Sequence, residues 1–180
     1  EWVLQDFADR QNLRVIDIGT GSGAIGISLK LAQPSWEVSL TDISSGALQV
    51  AQKNATNLHA SVHLLQGDLF EPLKGKYDLI VSNPPYIAQS EKKLMDQSVI
   101  LHEPHQALFA SENGLYFYRQ IAKQAGNFLK KNGCLFLEIG FDQGKTVADI
   151  FLKSFLRAKV KVKKDISGKD RMIRVSYTEE

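Results

Sequence analysis

Cysteine is nearly absent from the 180-residue sequence: Cys134 is its single cysteine, so no disulfide can form within the chain. Cys134 stands in the apolar run Cys134-Leu135-Phe136-Leu137, and we expect it to be a reduced core residue. No apolar stretch approaches the roughly 18 residues that suggest a membrane-spanning helix, and no signal-peptide pattern opens the chain. The sequence therefore predicts a cytoplasmic protein without a membrane partner.

The charges are also nearly balanced, with 22 basic and 20 acidic residues and a formal net charge of +2. Such a balance neither requires nor excludes a nucleic-acid partner. The four histidines, His59, His63, His102 and His105, are scattered without the spacing of metal ligands. The sequence therefore predicts no metal site.

The length and a hydrophobic content of 43% suit one compact domain, which we assign to residues 1–180. The first residues, Trp2-Val3-Leu4 and Phe7, already have the pattern of an amphipathic helix. We therefore expect this chain to be a fragment of a longer protein, cut near a domain boundary, and we expect a monomer.

Short β-rich runs alternate with helical periods, which predicts an α/β domain with a mainly parallel sheet. The predicted strands are residues 15–18, 38–41, 62–66, 79–82, 135–139, 160–164 and 172–177. The predicted helices are residues 24–32, 47–58 with Ser44 as N-cap, an apolar stripe over 115–129 that Asn132-Gly133 ends, and a segment over 147–155. The interval 88–113 lacks a clear period and lies between a strand and a helix, where α/β folds place functional loops.

The first predicted strand runs into a glycine turn with the sequence Asp17-Ile18-Gly19-Thr20-Gly21-Ser22-Gly23. Glycines allow positive φ and let a ligand approach the backbone closely. The spacing satisfies the dinucleotide fingerprint twice, as Gly19-x-Gly21-x-x-Ala24 and as Gly21-x-Gly23-x-x-Gly26. Asp42, at the end of the second strand, stands where either class of cofactor has its ribose partner. Taken alone, the loop leaves both classes open.

Two carboxylates favour a cationic cofactor over NAD. Asp17 lies within the first strand, where burying a carboxylate is costly unless it holds the loop or a cationic ligand. An anionic pyrophosphate gains nothing from that charge, whereas the sulfonium and ammonium groups of S-adenosylmethionine do. Asp68, after the third strand, is expected near an adenine amino group, with a helix or turn cap as its alternative role. We expect Asp42 to serve the ligand rather than the fold, so its removal should barely change stability without cofactor.

The fourth predicted strand runs into Asn83-Pro84-Pro85-Tyr86, here called the acceptor socket. The two prolines fix φ and remove two backbone donors, while their carbonyls remain as rigid acceptors. Asn83 adds a side-chain carbonyl oxygen and Tyr86 an aromatic face, which suits a planar group that carries an NH2. Holding both N–H groups would aim the weakly nucleophilic nitrogen at a methyl group. The segment therefore favours a methyltransferase that acts on an amide or amino nitrogen.

With these motifs the sequence resembles the Asn-Pro-Pro-Tyr class of Rossmann-like methyltransferases, and more narrowly the protein-(glutamine-N5) methyltransferases of peptide chain release factors, the HemK/PrmC family. The segments that carry the resemblance are Asp17-Ile18-Gly19-Thr20-Gly21-Ser22-Gly23, Thr41-Asp42-Ile43-Ser44, Asp78-Leu79-Ile80-Val81-Ser82-Asn83-Pro84-Pro85-Tyr86-Ile87, Glu103-Pro104-x-x-Ala107-Leu108, Gly114-Leu115-x-x-Tyr118-Arg119-x-Ile121, Leu137-Glu138-Ile139-Gly140-x-x-Gln143-Gly144 and Asp165-x-x-Gly168-x-Asp170-Arg171. Many amino-methyltransferases share the first three segments, and the four later ones narrow the resemblance to this family.

The resemblance implies a Rossmann-like class I methyltransferase fold: a seven-stranded, mainly parallel sheet with an antiparallel last strand and helices on both faces. It implies that S-adenosylmethionine is bound by Asp17, Gly19, Thr20, Gly21, Ser22, Gly23, Asp42, Ile43, Asp68, Leu69 and Asn83. The implied catalytic residues are Asn83, Pro84, Pro85 and Tyr86. The implied acceptor is the glutamine side chain in the Gly-Gly-Gln loop of a release factor, with no direct contact to nucleic acid.

Some features depart from the family, and two other functions stay open. Family members usually carry an N-terminal helical domain that helps to grip the release factor, which this sequence does not include, and position 69 often holds an aromatic residue where Leu69 stands. A DNA adenine-N6 or RNA guanine-N2 methyltransferase would use a similar tetrapeptide but needs a base-binding domain or a basic surface. The nearest candidate, the alternating lysines of residues 159–164, suits a solvated strand face better. An NAD-dependent oxidoreductase would fit the glycines and leave the acceptor socket unexplained.

Overall fold

The computed structural model describes residues 1–88, 109–155 and 157–177. Its helices are α1 Trp2–Phe7, α2 Ala24–Ala32, α3 Ser45–Asn57, the short turn α4 Ser111–Gly114, α5 Tyr116–Phe128 and α6 Gly144–Ser154. Its strands are β1 Arg14–Ile18, β2 Glu37–Asp42, β3 His63–Gln66, β4 Tyr77–Ser82, β5 Ile87–Ala88, β6 Phe109–Ala110, β7 Leu129–Glu138, β8 Lys159–Lys164 and β9 Asp170–Ser176. No helix in this described part is long and apolar enough to cross a membrane.

Seven strands form one sheet in the order β3-β2-β1-β4-β7-β9-β8. The pairs from β3 to β7 are parallel, and β9 runs antiparallel to both of its neighbours. The strand order reverses between β1 and β4, and open α/β sheets bind their ligands at the carboxyl ends of the strands beside such a reversal. The predicted mainly parallel sheet with an antiparallel last strand is confirmed.

The central strands β1 and β4 are mainly apolar because both of their faces are buried, with the buried Asp17 as an exception in β1. Alternate residues of a strand enter two separate cores: Val15 belongs to one and Ile16 to the other, and Leu79 and Ile80 divide in the same way. The first core includes residues of α1, α2 and α3, whereas the second includes residues of α5 and α6. Helices therefore cover both faces, as predicted.

The local signals at the helix ends are mostly confirmed. The Ser44 hydroxyl accepts a hydrogen bond from the Ala47 amide and caps α3. Cys134 is buried, as expected. One boundary was wrong: Leu129, predicted as the end of a helical stripe, takes an extended conformation and begins β7, opposite Tyr77 of β4. The Asn132-Gly133 pair therefore lies within the irregular start of a strand, where Asn132 has a φ of 62°.

The predicted functional loop, residues 88–113, is described only at its two ends. Strands β5 and β6 pair there in parallel, with Ile87 opposite Phe109. The residues of the loop that the sequence singles out, His102, Glu103, Pro104, His105, Ala107 and Leu108, lie outside the described residues.

Candidate active site

The glycine loop, residues 19–23, and the acceptor socket leave the sheet side by side. Ile18 at the end of β1 pairs in register with Ser82 at the end of β4. The buried Ser82 hydroxyl donates a 2.7 Å hydrogen bond to the Ile18 carbonyl and ties the two strand ends together. Gly19 directly follows β1 and Asn83 directly follows β4. Two motifs separated by 64 positions therefore meet at one edge of the sheet.

The backbone of the glycine loop is left-handed at three points. Gly19, Gly21 and Gly23 have φ values of 65°, 56° and 83°, which other residues adopt only with strain. A Cβ atom at Gly19 or Gly21 would meet no other atom within 4 Å, so the loop presents bare backbone to open space. At Gly23 a Cβ would instead press on Ile27. The first two glycines thus leave room for a ligand, and the third leaves room for Ile27 in the first turn of α2.

Asp17 holds this loop from beneath. Its carboxylate is buried, and Oδ2 accepts hydrogen bonds from the Thr20 hydroxyl at 2.7 Å and from the Gly26 amide at 2.9 Å. Its other oxygen, Oδ1, is buried with no hydrogen-bond partner in the described part of the chain. Burial raises the pKa of Asp17 to about 6, although the bonds from Thr20 and Gly26 lower it. Asp17 therefore stabilises the glycine loop through hydrogen bonds and places a carboxylate beneath it.

Asp42 connects the glycine loop to the start of α3. Its Oδ2 accepts a 2.9 Å hydrogen bond from the Gly21 amide, and its Oδ1 accepts one of the same length from the Ser44 amide. A carboxylate has about four lone-pair sites, so two remain for a ligand hydroxyl. Asp42 therefore also holds backbone at the glycine loop and at the start of α3, a structural contact that the expectation of a ligand role did not include.

The other predicted cofactor residues lie along the same edge. Ser22 is exposed, and its carbonyl accepts a 2.9 Å bond from the Asn54 side chain. The Ile43 side chain follows Asp42 and is 62% exposed. Asp68 is exposed in a turn, where its carbonyl accepts a 2.9 Å bond from the Glu71 amide. Because this bond does not involve the side chain, both the contact of Asp68 with adenine and its alternative role as a cap stay predictions.

Leu69 occupies a strained position after that turn. It has a φ of 46°, in the left-handed region that bulky residues avoid, and its side chain packs against the second core. The Gly67 amide donates a 3.1 Å hydrogen bond to the Asp42 carbonyl, which holds the Asp68–Leu69 turn beside the end of β2. Strained non-glycine residues of this kind cluster at ligand sites.

The acceptor socket combines an exposed and a buried half. Asn83 is exposed, and its side chain has no hydrogen-bond partner among the described residues, whereas Pro84 is buried and Pro85 and Tyr86 are half-buried. The exposed side-chain amide of Asn83 is therefore available to a substrate. The two prolines and Tyr86 pack against the rest of the protein.

Tyr86 is anchored through both its hydroxyl and its backbone. Its hydroxyl donates to Glu138 Oε1 at 3.3 Å and accepts from Arg171 Nη1 at 3.4 Å. Burial raises the pKa of the Tyr86 phenol, and the nearby Glu138 carboxylate raises it further, so the phenol stays protonated and keeps donating. The Tyr86 carbonyl accepts a 3.0 Å bond from Gln143 Nε2.

These anchors are the functional residues that sequence reasoning missed. Glu138, Gln143 and Arg171 stand in the two last segments of the family resemblance, but spacing alone assigned them no role. Arg171 is itself held by Asp165, 3.3 Å away. The signal was the occurrence of polar residues directly after the buried strand β7 and at the start of β9, which lie at the same edge as the socket.

The predicted site residues therefore lie together at the carboxyl ends of β1, β2, β3 and β4. Within residues 1–88, 109–155 and 157–177, no group of three or more histidine, cysteine, aspartate or glutamate side chains could hold a metal ion. The arrangement offers bare glycine backbone over a buried carboxylate, a second carboxylate with free lone pairs, and an exposed amide beside them. It suits a cationic nucleoside ligand next to a polar acceptor.

Comparison with known proteins agrees with this arrangement. Residues 1–117 match the family model of the methyltransferase small domain. The chain is 48% identical over 167 residues to a release factor glutamine methyltransferase of Lactococcus lactis, covering 93% of this chain and 62% of the relative. It is 46% identical over 170 residues to the Bacillus subtilis protein of the same description, covering 93% and 59%. The chain thus spans about three fifths of the length of the curated relatives it matches.

Solved structures of methyltransferases also align with this chain. The structure of a release-factor-specific protein-(glutamine-N5) methyltransferase from Alicyclobacillus acidocaldarius aligns with a TM-score of 0.60 and 27% identity, covering 99% of this chain and 88% of that one. A methyltransferase from Pyrococcus furiosus aligns with a TM-score of 0.74 over 99% of this chain and 81% of that one, and at 17% identity it shows the fold alone. The Rossmann-like class I methyltransferase fold is therefore confirmed, and the chain belongs to the methyltransferase small domain family.

Proposed function

We propose that this protein transfers a methyl group from S-adenosylmethionine to the side-chain amide nitrogen, N5, of the glutamine in the Gly-Gly-Gln loop of a peptide chain release factor. The observation that carries the proposal is the register between Ile18 and Ser82, which sets the glycine loop beside an acceptor socket made of Asn83, two prolines and Tyr86. An acceptor of this kind belongs to translation, so we propose the cytoplasm as the place of action.

The residues present fit S-adenosylmethionine, the methyl donor that the family and the fold imply. Bare backbone at Gly19 and Gly21 leaves space for a ligand to lie against the loop. The buried Asp17 carboxylate, whose Oδ1 has no partner in the described part, adds negative charge that favours a cation. The free lone pairs of Asp42 suit ribose hydroxyls. The buried charge of Asp17 would disfavour the anionic pyrophosphate of NAD, which argues against an oxidoreductase.

The proposed work of the protein is to hold the acceptor rather than to remove a proton from it beforehand. When bound, S-adenosylmethionine supplies a methyl group on a positively charged sulfur. Asn83 accepts one amide N–H of the acceptor through its side-chain oxygen, and a carbonyl of the neighbouring prolines accepts the other. The acceptor nitrogen becomes more acidic as it gains the methyl group and then releases one proton. Both hydrogen bonds strengthen during this change, so they favour the transition state.

The relatives support the choice of glutamine over a nucleobase. Six curated relatives at 39–48% identity are each named release factor glutamine methyltransferase. The structural neighbours that bind RNA hairpins are 17–18% identical and share only the fold. The exposed lysines of β8, such as Lys159 and Lys161, lie on an edge strand, where charged residues prevent pairing with another sheet.

A transfer assay with several acceptors tests the proposal. The full-length protein would be incubated with S-adenosylmethionine carrying a labelled methyl group and with a release factor, a release factor in which the loop glutamine is changed to glutamate, duplex DNA or structured RNA. We expect label on the first acceptor alone. Label on the Gln→Glu release factor, or on nucleic acid only, would show that glutamine is not the acceptor.

A further inference from the structure

Gln143 joins two turns that are far apart in the sequence. Its Oε1 accepts a 3.0 Å hydrogen bond from the Gly140 amide, and its Nε2 donates one of 3.0 Å to the Tyr86 carbonyl, 57 positions away. Both polar atoms of the side chain are therefore used, one within its own turn and one on the last residue of the acceptor socket. The side chain is a fixed bridge between the end of β7 and the end of the socket.

Two glycines make room for this bridge. Gly114, buried and with a φ of 80°, lies so close to the Tyr86 carbonyl oxygen that a Cβ atom there would overlap it, and would also come within 2.7 Å of Gln143 Nε2. At Gly140, a Cβ would lie 2.9 Å from Gln143 Oε1. The Tyr86 carbonyl is thus enclosed by Gly114 on one side and Gln143 on the other. A side chain at Gly114 would press on backbone, and one at Gly140 would displace the Gln143 side chain.

Helix capping does not account for the side chain of Gln143. The residue is the N-cap of α6, but its side chain makes no capping hydrogen bond. Ser44, the N-cap of α3, shows the usual alternative, because its hydroxyl accepts from Ala47. Gln143 instead uses its donor on Tyr86, so the contact serves the socket and not the start of the helix.

The position of this contact links it to the reaction. The socket begins at Asn83, directly after the tie between Ser82 and Ile18, and its φ angles are fixed at both prolines. The hydrogen bond to the Tyr86 carbonyl fixes the other end of the acceptor socket. The proline carbonyls between Asn83 and Tyr86 are therefore held from both ends. We propose that Gln143 is a positioning residue for methyl transfer: through the Tyr86 carbonyl it holds the acceptor socket in the geometry in which Asn83 presents the acceptor nitrogen. This inference rests on the proposed function.

Two substitutions in the full-length protein separate the roles of the two hydrogen bonds. Gln143→Met keeps the length of the side chain and removes both bonds. Gln143→Glu can still accept from Gly140, but its ionised carboxylate cannot donate to Tyr86. Gln33→Met is the matched control, because Gln33 Nε2 donates at 3.1 Å to the Ala8 carbonyl, on the other side of the sheet. We expect both Gln143 variants to lower kcat at neutral pH by ~10-fold or more, since small misplacements of a reacting group are costly.

The pattern of the remaining constants distinguishes positioning from general support of the fold. We expect the Kd of S-adenosylmethionine, measured by calorimetry, to change much less than kcat for both Gln143 variants, because most of the predicted cofactor residues lie outside the acceptor socket. As the pH falls, Gln143→Glu should recover activity relative to the wild type, because the protonated carboxyl can donate to the Tyr86 carbonyl, and Gln143→Met should not. Gly114→Ala should also lower kcat, and more than Gly168→Ala, whose φ of 78° is similar but whose Cβ would meet nothing.

Each contrary result has a definite meaning. An unchanged kcat in Gln143→Met, or a loss no larger than that in Gln33→Met, would overturn the role of Gln143. The proposed function would still stand in that case if the wild-type protein methylated the glutamine. A rise in the cofactor Kd that matches the loss of kcat would also overturn it. If the wild-type protein transferred no methyl group to the release factor, both the proposed function and this inference would fail.

Discussion

The Asp42 carboxylate accepts a 2.9 Å hydrogen bond from the backbone amide of Gly21. Because Gly21 is left-handed and open to space, this bond is one of the contacts that hold the glycine loop in its observed shape. The second oxygen of Asp42 holds Ser44 at the start of α3 in the same way. We therefore expect both the proposed cofactor binding and the stability of the loop without cofactor to depend on the Asp42 side chain.

Replacing Asp42 by alanine should affect both properties. We expect Asp42→Ala to weaken S-adenosylmethionine binding by roughly 1.5–3 kcal/mol, the range for losing a hydrogen bond to a charged group. The loss of two backbone partners should also lower the free energy of unfolding without cofactor by roughly 1–2 kcal/mol. Calorimetry and urea unfolding measure the two effects, with Asp149→Ala, an exposed position on α6, as control. An affinity loss with no change in unfolding would contradict the structural role.

Asp17 should make the stability of the protein depend on pH in a definite direction. Its pKa is raised from 3.8 to about 6 by burial, so the folded state binds its proton more tightly than the unfolded state does. Stability contributed by the protonated form is therefore present at low pH and lost as the pH rises from about 4 to 6. Relative to Asp17→Asn, the wild type should gain about 2 kcal/mol in unfolding free energy between pH 7 and pH 4.5.

Urea unfolding of the two proteins at both pH values checks this prediction. The comparison with Asp17→Asn cancels the contributions of other titrating groups, because they are common to both proteins. A wild type that loses stability relative to the variant on acidification would mean that Asp17 is held ionised in the fold, with a lowered pKa.

Asn83 and Tyr86 should differ in their effects on catalysis. We expect Asn83→Ala to reduce kcat by ~10²-fold or more, as for the loss of one preorganised polar partner of the transition state. Tyr86→Phe should reduce kcat less, because its ring remains and only the hydroxyl between Glu138 and Arg171 is lost. Steady-state kinetics on the full-length protein with a release factor measures both. A loss in Tyr86→Phe as large as that in Asn83→Ala would contradict the prediction that the ring of Tyr86 matters more than its hydroxyl.

The fold could be predicted because the apolar composition of its central strands is visible in the sequence. Residues such as Ile16 and Ile80 belong to short, mainly apolar runs that are buried on both faces, and glycines or polar residues end each run. Leu129 shows the limit of this reasoning. It is completely buried, and both a helical stripe and a buried strand would place it in the core, so periodicity could not decide where α5 ends.

The site was predictable where it is local in the sequence. The glycine loop and the acceptor socket each occupy a few consecutive residues after a strand, and their backbone chemistry follows from glycine and proline. The supports of these segments could not be predicted, because they come from distant positions. Gly21 meets Asp42 across 21 positions, and Tyr86 meets Arg171 across 85, through the order of strands in the sheet. Spacing in one sequence does not contain that order.

Mapping the methyl group on the acceptor tests the central claim most directly. A release factor treated with the full-length protein and S-adenosylmethionine would be digested and its Gly-Gly-Gln peptide fragmented in a mass spectrometer. The proposed function predicts the mass of one added methyl group on the glutamine side chain, lost in Asn83→Ala and in the Gln→Glu release factor. A methyl group on any other residue, or a peptide that stays unmodified while the protein methylates nucleic acid, would contradict it.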